Sequence, residues 1–345
     1  MKICYFGIYN SDFSRNRIYI EALKSAGHSI VECQDSSRGI SKYFRLWKKY
    51  KALKGDYDVM IVGYPGHSVV PFAKLLSDKK VIADALGSLY DAEVNSHTPS
   101  LMRKIKSLLI DRFMVMSADK IMLESGQQKD FFENRFGKSE KYEIVYTGAD
   151  ERMFLRNPLQ APQKPENFLV LFRGSLTPES GIMTVLEAAE LLKSDKDIRF
   201  RIIGTGYFLR AVQDFIASRD LQNVEFISHK LSKEELVERM LDAHIMLGQF
   251  EDNPRLNRTI PHKAFEAFAL GIPYLTGEAP AIKEIANNRV TVFFVPLKNS
   301  EELAKIIKEL ASDAGTLQKV AENAQKLFVE RFSYKQIAQK IESLI

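Results

Sequence analysis

Cysteine is scarce in this sequence, and a long hydrophobic segment is absent. The 345 residues include two cysteines, Cys4 and Cys33, too few for a disulfide framework and without the spacing of a metal site. No run approaches the ~20 apolar residues that a membrane-spanning helix needs. The apolar run over residues 3–9 is too short for a secretory signal and lacks its cleavage site, so it predicts a first strand. These absences predict a reduced protein of the cytoplasm that does not span a membrane.

Positive charge is in mild excess and is concentrated locally. The formal net charge is +5, and the cations cluster at residues 42–54 and 103–112. A basic amphipathic helix with tryptophan and leucine can lie on an anionic bilayer, but a half-buried helix with solvated lysines has the same composition. Both interpretations stay open for residues 42–54 and, more weakly, for residues 102–110. We expect no nucleic-acid partner, because the clusters contain no recognisable reader motif.

The alternation of apolar runs with stretches of helical period predicts βαβ units on parallel sheets, hence the α/β class. A polar, proline-bearing segment at residues 157–165 predicts a linker, after which the pattern restarts as a second Rossmann-like unit. We predict domains at 1–156 and 166–332, with a last helix at 333–345, started by Ser333, that packs back on the first domain. The predicted strands are Ile3–Tyr9, Ser29–Cys33, Val59–Val62, Val81–Ala83, Lys120–Leu123, Tyr142–Val145, Phe168–Phe172, Arg199–Ile203 and Val224–Ile227.

Two glycine-bearing turns follow strands of the second domain. In open α/β sheets ligands bind beyond the carboxyl ends of strands, where helix N-termini offer N–H groups and a positive dipole to phosphate. The glycines of Arg173–Gly181 permit close backbone approach, and Ser180 is placed to cap the following helix. Gly204 and Gly206 form a second tight turn, a weak signal by itself. Arg173 suits a phosphate site and an ordinary surface position equally well.

The segment 258–273 is the most informative stretch. It predicts a helix that starts near Pro261 and ends at Gly271. Lys263 and Glu266 lie one turn apart near its start, where a cation and a carboxylate could hold a phosphate and a ribose hydroxyl pair. The alternative is an exposed ion pair that stabilises the helix by roughly 0.2–0.5 kcal/mol.

This segment resembles the nucleotide-sugar-binding motif of glycosyltransferase family 4. Residues 146–150 resemble the interdomain signature of that family, and residues 223–231 its base-binding turn. The resemblance implies the GT-B architecture, with two Rossmann-like domains facing a cleft. It also implies a nucleotide-sugar donor on the second domain, an acceptor facing the first, retention of anomeric configuration and no DxD metal site. We expect no metal and no cofactor, since the nucleotide-diphosphate sugar is the substrate.

The chain departs from the family pattern where the donor diphosphate binds. Ser175 and Ser180 replace an arginine and a lysine, and Arg258 replaces the first of two glutamates. A diphosphate leaving group still needs positive charge, so we predict that the cations have moved to Arg173, Arg258 and Lys263. Arg173 and Lys263 are expected to act in catalysis. The expected donor-binding residues are Gly174, Ser175, Gly204, Lys230, Leu231, Arg258 and Glu266.

The first domain offers candidates for the acceptor side. Its first loop lacks the glycine pair of many relatives, but Arg15 or Arg17 could face an anionic group and Ser14 or Asn16 could start the helix. A solvated loop is the alternative. His67 follows one strand. Asp84 ends another, where relatives often have a catalytic histidine, so the resemblance implies a catalytic role for Asp84.

The sequence thus predicts a hexosyltransferase-like enzyme that moves a sugar from a nucleotide-diphosphate sugar to a glycan or lipid-linked acceptor. If the basic helices lie on an anionic membrane, the enzyme works at its inner face. Two alternatives stay open: a sugar-nucleotide epimerase of related fold, and a catalytically silent nucleotide-binding homologue that supports a partner enzyme.

Overall fold

The computed structural model describes residues 1–37, 39–53, 55–95, 100–156 and 164–345. Its contacts divide the chain into two units. The first, here called unit 1, comprises residues 1–148 and 331–345, and unit 2 comprises residues 149–330. The first boundary precedes the predicted linker, of which residues 157–163 lie outside the described residues.

Unit 1 is built on a parallel sheet in which the described residues form six strands, in the order β2-β1-β3-β4-β5-β6. Apolar runs supply the strands: every residue of β3 is buried, as are the five inner residues of β4. Burial on both faces is expected of a parallel sheet covered by helices. The strands are β1 (Lys2–Gly7), β2 (Ser29–Gln34), β3 (Val59–Val62), β4 (Lys80–Leu86), β5 (Lys120–Leu123) and β6 (Tyr142–Ile144).

Helices cover both faces of this sheet. One core cluster joins the strands to α2, α3, α5 and α6, and a second joins them to α1 and the last helix of the chain. The helices up to residue 148 are α1 (Ser14–Ser25), α2 (Ser41–Ala52), α3 (Val70–Leu76), α4 (Leu89–Val94), α5 (Leu101–Ser117) and α6 (Gly126–Phe136).

Unit 2 has a parallel sheet whose described residues also form six strands, in the order β12-β11-β10-β7-β8-β9. The predicted strands of this unit match three of them within one residue at each end. The strands are β7 (Phe168–Arg173), β8 (Ile198–Ile203), β9 (Val224–Ile227), β10 (Ile245–Leu247), β11 (Tyr274–Gly277) and β12 (Phe293–Val295). The helices are α7 (Glu151–Phe154), α8 (Ile182–Leu191), α9 (Leu209–Ser218), α10 (Lys233–Leu241), α11 (His262–Leu270), α12 (Pro280–Lys283), α13 (Ser300–Ala311) and α14 (Ala314–Arg331).

The last helix, α15 (Tyr334–Glu342), packs on unit 1 against α1. Ile337, Ile341 and Leu344 are buried there with the apolar side of α1. Ser333 holds the N-cap position, but its side chain makes no capping hydrogen bond. The apolar face of α15 is therefore the feature that docks this helix.

The predicted cap of α8 is wrong. Ser180 belongs to a 3₁₀ turn, Pro178–Ser180, and its hydroxyl donates to the carbonyl of Thr177 at 2.6 Å. Gly181 is the N-cap residue, with φ of 68° and no side-chain cap. The left-handed conformation favours glycine, which has no Cβ. Gly181 therefore allows the backbone turn that starts α8.

Each sheet has a point where the chain reverses its direction of winding. In unit 1, β1 lies between β2 and β3; in unit 2, β7 lies between β8 and β10. The crevice at the carboxyl ends of such strand pairs is the usual ligand position in α/β sheets. Among the described residues, no helix is long and apolar enough to cross a membrane.

Candidate functional site

The carboxyl ends of β7 and β10 meet the start of α11 in unit 2. Arg173 ends β7, Gly248 follows β10, and α11 begins at His262 after the N-cap Pro261. The connection from β10 through α11 to β11 brings the helix N-terminus to this edge of the sheet. The N–H groups of a first helical turn have no partner within the helix, so backbone donors and basic side chains share one edge.

Glu266 is the buried anion of this edge. Its side chain is 2% exposed and accepts a short hydrogen bond from Nη1 of Arg173. Its other oxygen lies 3.1 Å from Nδ1 of His262. Burial alone would raise the pKa of Glu266, but Arg173 and then His262 outweigh it and lower that pKa below its usual range. The alternative of an exposed pair with Lys263 is wrong, because the carboxylate is buried and bonded to Arg173 and His262.

Lys263 projects over the end of β7. Its ammonium donates to the carbonyl of Gly248 at 2.8 Å and lies 4.2 Å from the ring centroid of Phe172. Burial, reinforced by the nearby charge of Arg173, lowers the pKa of Lys263 to about 7, although Glu266 acts in the opposite direction. A bound anion would offset both effects and raise the pKa of Lys263 again. The Lys263 ammonium can therefore pair with a negatively charged ligand.

Glycines keep the backbone open beside the two cations. An ideal Cβ at Gly174 would lie 3.6 Å from Nζ of Lys263, and a Cβ at Gly204 would lie 2.1 Å from the carbonyl oxygen of Gly174. The latter distance is impossible for a real side chain. The turns after β7 and β8 therefore approach each other as only glycine allows.

The other predicted donor residues lie along the same carboxyl edge. Ser175 is exposed next to Gly174. Lys230 is exposed and Leu231 half-buried in the connection from β9 to α10. Arg258 ends a short 3₁₀ turn that precedes α11. The structure thus places these residues at the predicted edge, and their roles in donor binding stay predictions.

A small depression borders the approach to α11. It is lined by residues that follow β10, precede α11 and end β11. Its polar lining is supplied by Gln249, Asn257, Thr259 and Thr276 among others.

Arg15 and Asp84 form a buried ion pair in unit 1. Nε of Arg15 lies 2.9 Å from Oδ1 of Asp84, and both side chains are at most 1% exposed. Nη1 of Arg15 also donates to the carbonyl of Val145 at 3.1 Å and to Oγ1 of Thr147 at 2.8 Å. Burial raises the pKa of Asp84, and Arg15 opposes this rise. The solvated-loop alternative is therefore wrong for Arg15.

Asn16 and His67 are also buried in unit 1. The Asn16 amide donates to the carbonyls of Asn10 and Tyr64, and its oxygen accepts from the N–H of Tyr64. This side chain therefore joins the loops after β1 and β3. Nε2 of His67 lies 2.9 Å from the carbonyl oxygen of Gly87, beyond the end of β4. In the described structure these acceptor-side candidates hold loops together, and none turns an exposed face to solvent.

His262 is the site residue that sequence reasoning missed. Its ring orients the carboxylate of Glu266, four residues later on the same helix. The signal was present in the sequence, since residues four apart on a helix are neighbours. The prediction placed the compensating positive charge at Arg173, Arg258 and Lys263 and did not include His262.

Comparison with known proteins shows which family the residues around this site resemble. Residues 156–327 match the model of the family described as Glycosyl transferases group 1. This match covers most of the second unit. The putative colanic acid biosynthesis glycosyltransferase WcaL of Salmonella typhimurium is 28% identical over 60% of this chain and 51% of its own length. The amylovoran biosynthesis glycosyltransferase AmsK of Erwinia amylovora is 27% identical over 60% of this chain and 52% of its own. The chain spans about half the length of the curated relatives it matches.

A solved structure matches both units. Anabaena Alr3699/HepE, crystallised in complex with UDP-glucose, superposes with a TM-score of 0.76 at 17% identity, over 99% of this chain and 98% of the other. At this identity the likeness shows the fold alone. Together with the two parallel sheets, it confirms the predicted α/β class and GT-B fold.

Proposed function

We propose that this chain is a glycosyltransferase that moves a hexosyl group from a nucleotide-diphosphate sugar to a glycan or lipid-linked acceptor. The observation that carries the proposal is the grouping of Arg173, Lys263 and Glu266 where β7, β10 and α11 meet. The group 1 match over residues 156–327 and the polysaccharide-biosynthesis names of the curated relatives support it. The nucleotide sugar bound to Alr3699/HepE supports the donor class.

The donor diphosphate would bind above Gly174. Lys263 would exchange the carbonyl of Gly248 for a phosphate oxygen, and the side chain of Arg173 is 26% exposed on the same edge. Glu266 already serves two donors, but a carboxylate has about four lone-pair positions. It can therefore hold Arg173 and His262 in place while it accepts a ribose hydroxyl. Arg258 would add a further cation from the turn before α11.

The transfer itself breaks the bond between the anomeric carbon and the β-phosphate oxygen, and the bonding electrons leave with the nucleoside diphosphate. The acceptor hydroxyl forms the new bond at that carbon, and its proton passes to the departing diphosphate. Cations placed where the leaving charge develops lower the barrier. We propose that they do so without a metal ion and with retention of anomeric configuration.

The unit 1 candidates would act on the acceptor side by position. Asp84 holds Arg15, Asn16 joins the loops after β1 and β3, and His67 holds the segment after β4. These are the loops at the carboxyl edge of the unit 1 sheet, where an acceptor would bind. Asp84 would therefore influence catalysis through the loop positions it fixes. We propose a cytoplasmic location, in keeping with two free, buried cysteines.

A donor screen tests the proposal and separates it from its rivals. The full chain is incubated with UDP-, GDP- and ADP-sugars, with and without glycan acceptors, while thermal unfolding and release of nucleoside diphosphate are followed. Transferase activity predicts a raised melting temperature with one donor class and release of its nucleoside diphosphate that increases with an acceptor. Conversion of the donor sugar without acceptor would indicate an epimerase. Binding without turnover across all acceptors would indicate a silent homologue.

A further inference from the structure

Helix α5 turns a row of large apolar side chains to solvent. Met102, Ile105, Leu109, Phe113 and Met116 are 47% to 82% exposed. Their spacing of three or four residues puts them on one side of the helix. We call this row the α5 face.

The buried side of α5 explains why the apolar row is outside. Asp111, which is fully buried, accepts hydrogen bonds from the hydroxyl of Ser88 and the N–H groups of Leu89 and Tyr90. Met114 packs beside it in the core of unit 1. A charged residue therefore anchors the helix inward, and the more apolar side faces solvent. Contiguous exposed apolar surface of this kind marks an interaction site.

Cations border the α5 face on both edges. Lys106 and Arg112 are exposed, and at 100° per residue each lies about 60° from Leu109, on opposite sides. The one acidic residue of α5 is the buried Asp111. A second copy of this chain docked through the same face would bring like charges together. An anionic surface with an apolar interior complements both the row and its edges.

Neighbouring helices also expose large apolar side chains. Helix α3 contacts α5, and its Leu75 is 83% exposed. Helix α3 also meets α2, where the rings of Tyr43 and Phe72 meet edge to face, and Phe44 of α2 is 64% exposed. All three helices pack on one face of the unit 1 sheet.

We propose that the α5 face binds the surface of an anionic lipid bilayer, with its apolar row among the acyl chains and Lys106 and Arg112 at the headgroups. Interfacial helices bind by this combination of apolar burial and attraction to anionic lipid. The inference goes beyond sugar transfer, because lipid binding is measured with no donor or acceptor present.

Vesicle flotation of the full chain tests the proposal. Vesicles of phosphatidylcholine alone are compared with vesicles of equal parts phosphatidylcholine and phosphatidylglycerol. We expect binding to the anionic vesicles that weakens with salt. Leu109→Ser with Phe113→Ser should weaken it by at least about tenfold, and Lys106→Gln with Arg112→Gln by roughly 30-fold. The matched control is Leu191→Ser with Val290→Ser, which removes two exposed apolar side chains from unit 2 and should leave binding unchanged.

Three outcomes would overturn the proposal. The parent chain could fail to float with anionic vesicles, or both α5 variants could bind as the parent does. The apolar variant could instead abolish concentration-dependent self-association in sedimentation velocity with no change in lipid binding, which would assign the α5 face to a second copy. The α5 substitutions are at exposed positions, so the circular dichroism spectrum and melting temperature of each variant should match those of the parent. If Leu109→Ser with Phe113→Ser misfolds, Lys106→Gln with Arg112→Gln still tests the proposal independently.

Discussion

Donor binding should be linked to protonation of Lys263. In the free protein burial and Arg173 lower the pKa of this lysine to about 7, whereas a bound diphosphate favours its charged form. The protein then takes up a proton as it binds. With the pKa of Lys263 in the complex above the pH range of the titrations, the affinity for the donor should fall roughly a hundredfold between about pH 6 and about pH 9. Each pH unit above the pKa of the free protein costs about 1.36 kcal/mol of binding free energy.

Isothermal titration calorimetry with an intact nucleotide sugar measures this linkage. The sugar ester matters because a free terminal phosphate titrates near pH 6 by itself. Titrations in two buffers of different ionisation enthalpy give the number of protons taken up, which should approach one above about pH 8. Lys263→Met should bind weakly with no slope, and Lys263→Arg should bind with little slope because arginine stays charged. Lys193→Met, at an exposed position on unit 2, is the control. A flat wild-type profile over this range would refute the reasoning.

Three further predictions concern stability and are checked by urea denaturation followed by circular dichroism. Glu266→Gln should destabilise the protein by about 1–3 kcal/mol, because Arg173 and His262 lose a buried charged acceptor. The pKa of Glu266 is lowered in the folded state, so this loss of stability should be complete above the ordinary pKa of glutamate and should shrink as the pH falls below it. An equal loss at all pH values would contradict that assignment. Asp84→Asn should cost about 3–5 kcal/mol by leaving the buried Arg15 without its counter-charge, and Arg15→Met with Asp84→Leu should cost less. A double variant destabilised as much as Asp84→Asn would argue against the pair. Gly204→Ala should lower the free energy of unfolding, because its Cβ would lie 2.1 Å from the carbonyl of Gly174. Gly315→Ala in α14 makes only an ordinary contact, 3.9 Å from Oδ1 of Asp313, and should be neutral or stabilising. Equal effects of the two alanines would contradict the close approach.

Strands and the helix at the site were within reach of the sequence. Apolar runs such as Val59–Val62 and Phe168–Phe172 are buried on both faces of parallel sheets, so their composition alone predicts strands. The helix near Pro261 has the proline and glycine punctuation that sets helix ends.

The hydrogen-bond partners of the site residues could not be predicted from the sequence. Arg173 and Glu266 are 93 residues apart in sequence, and the carbonyl that Lys263 binds belongs to a different strand connection. Pairings of this kind depend on strand order, which a single sequence does not contain. The burial of Arg15 and Asn16 was missed for the same reason, because a polar loop that bridges two strand ends has the composition of a solvated one.

A crystal of the full chain soaked with the nucleotide sugar that raises its melting temperature tests the central claim most directly. The account predicts the diphosphate at the meeting of β7, β10 and α11, with a phosphate oxygen within about 3 Å of Nζ of Lys263 and the ribose beside Glu266. A nucleotide sugar bound elsewhere, with Lys263 still donating to the carbonyl of Gly248, would contradict it.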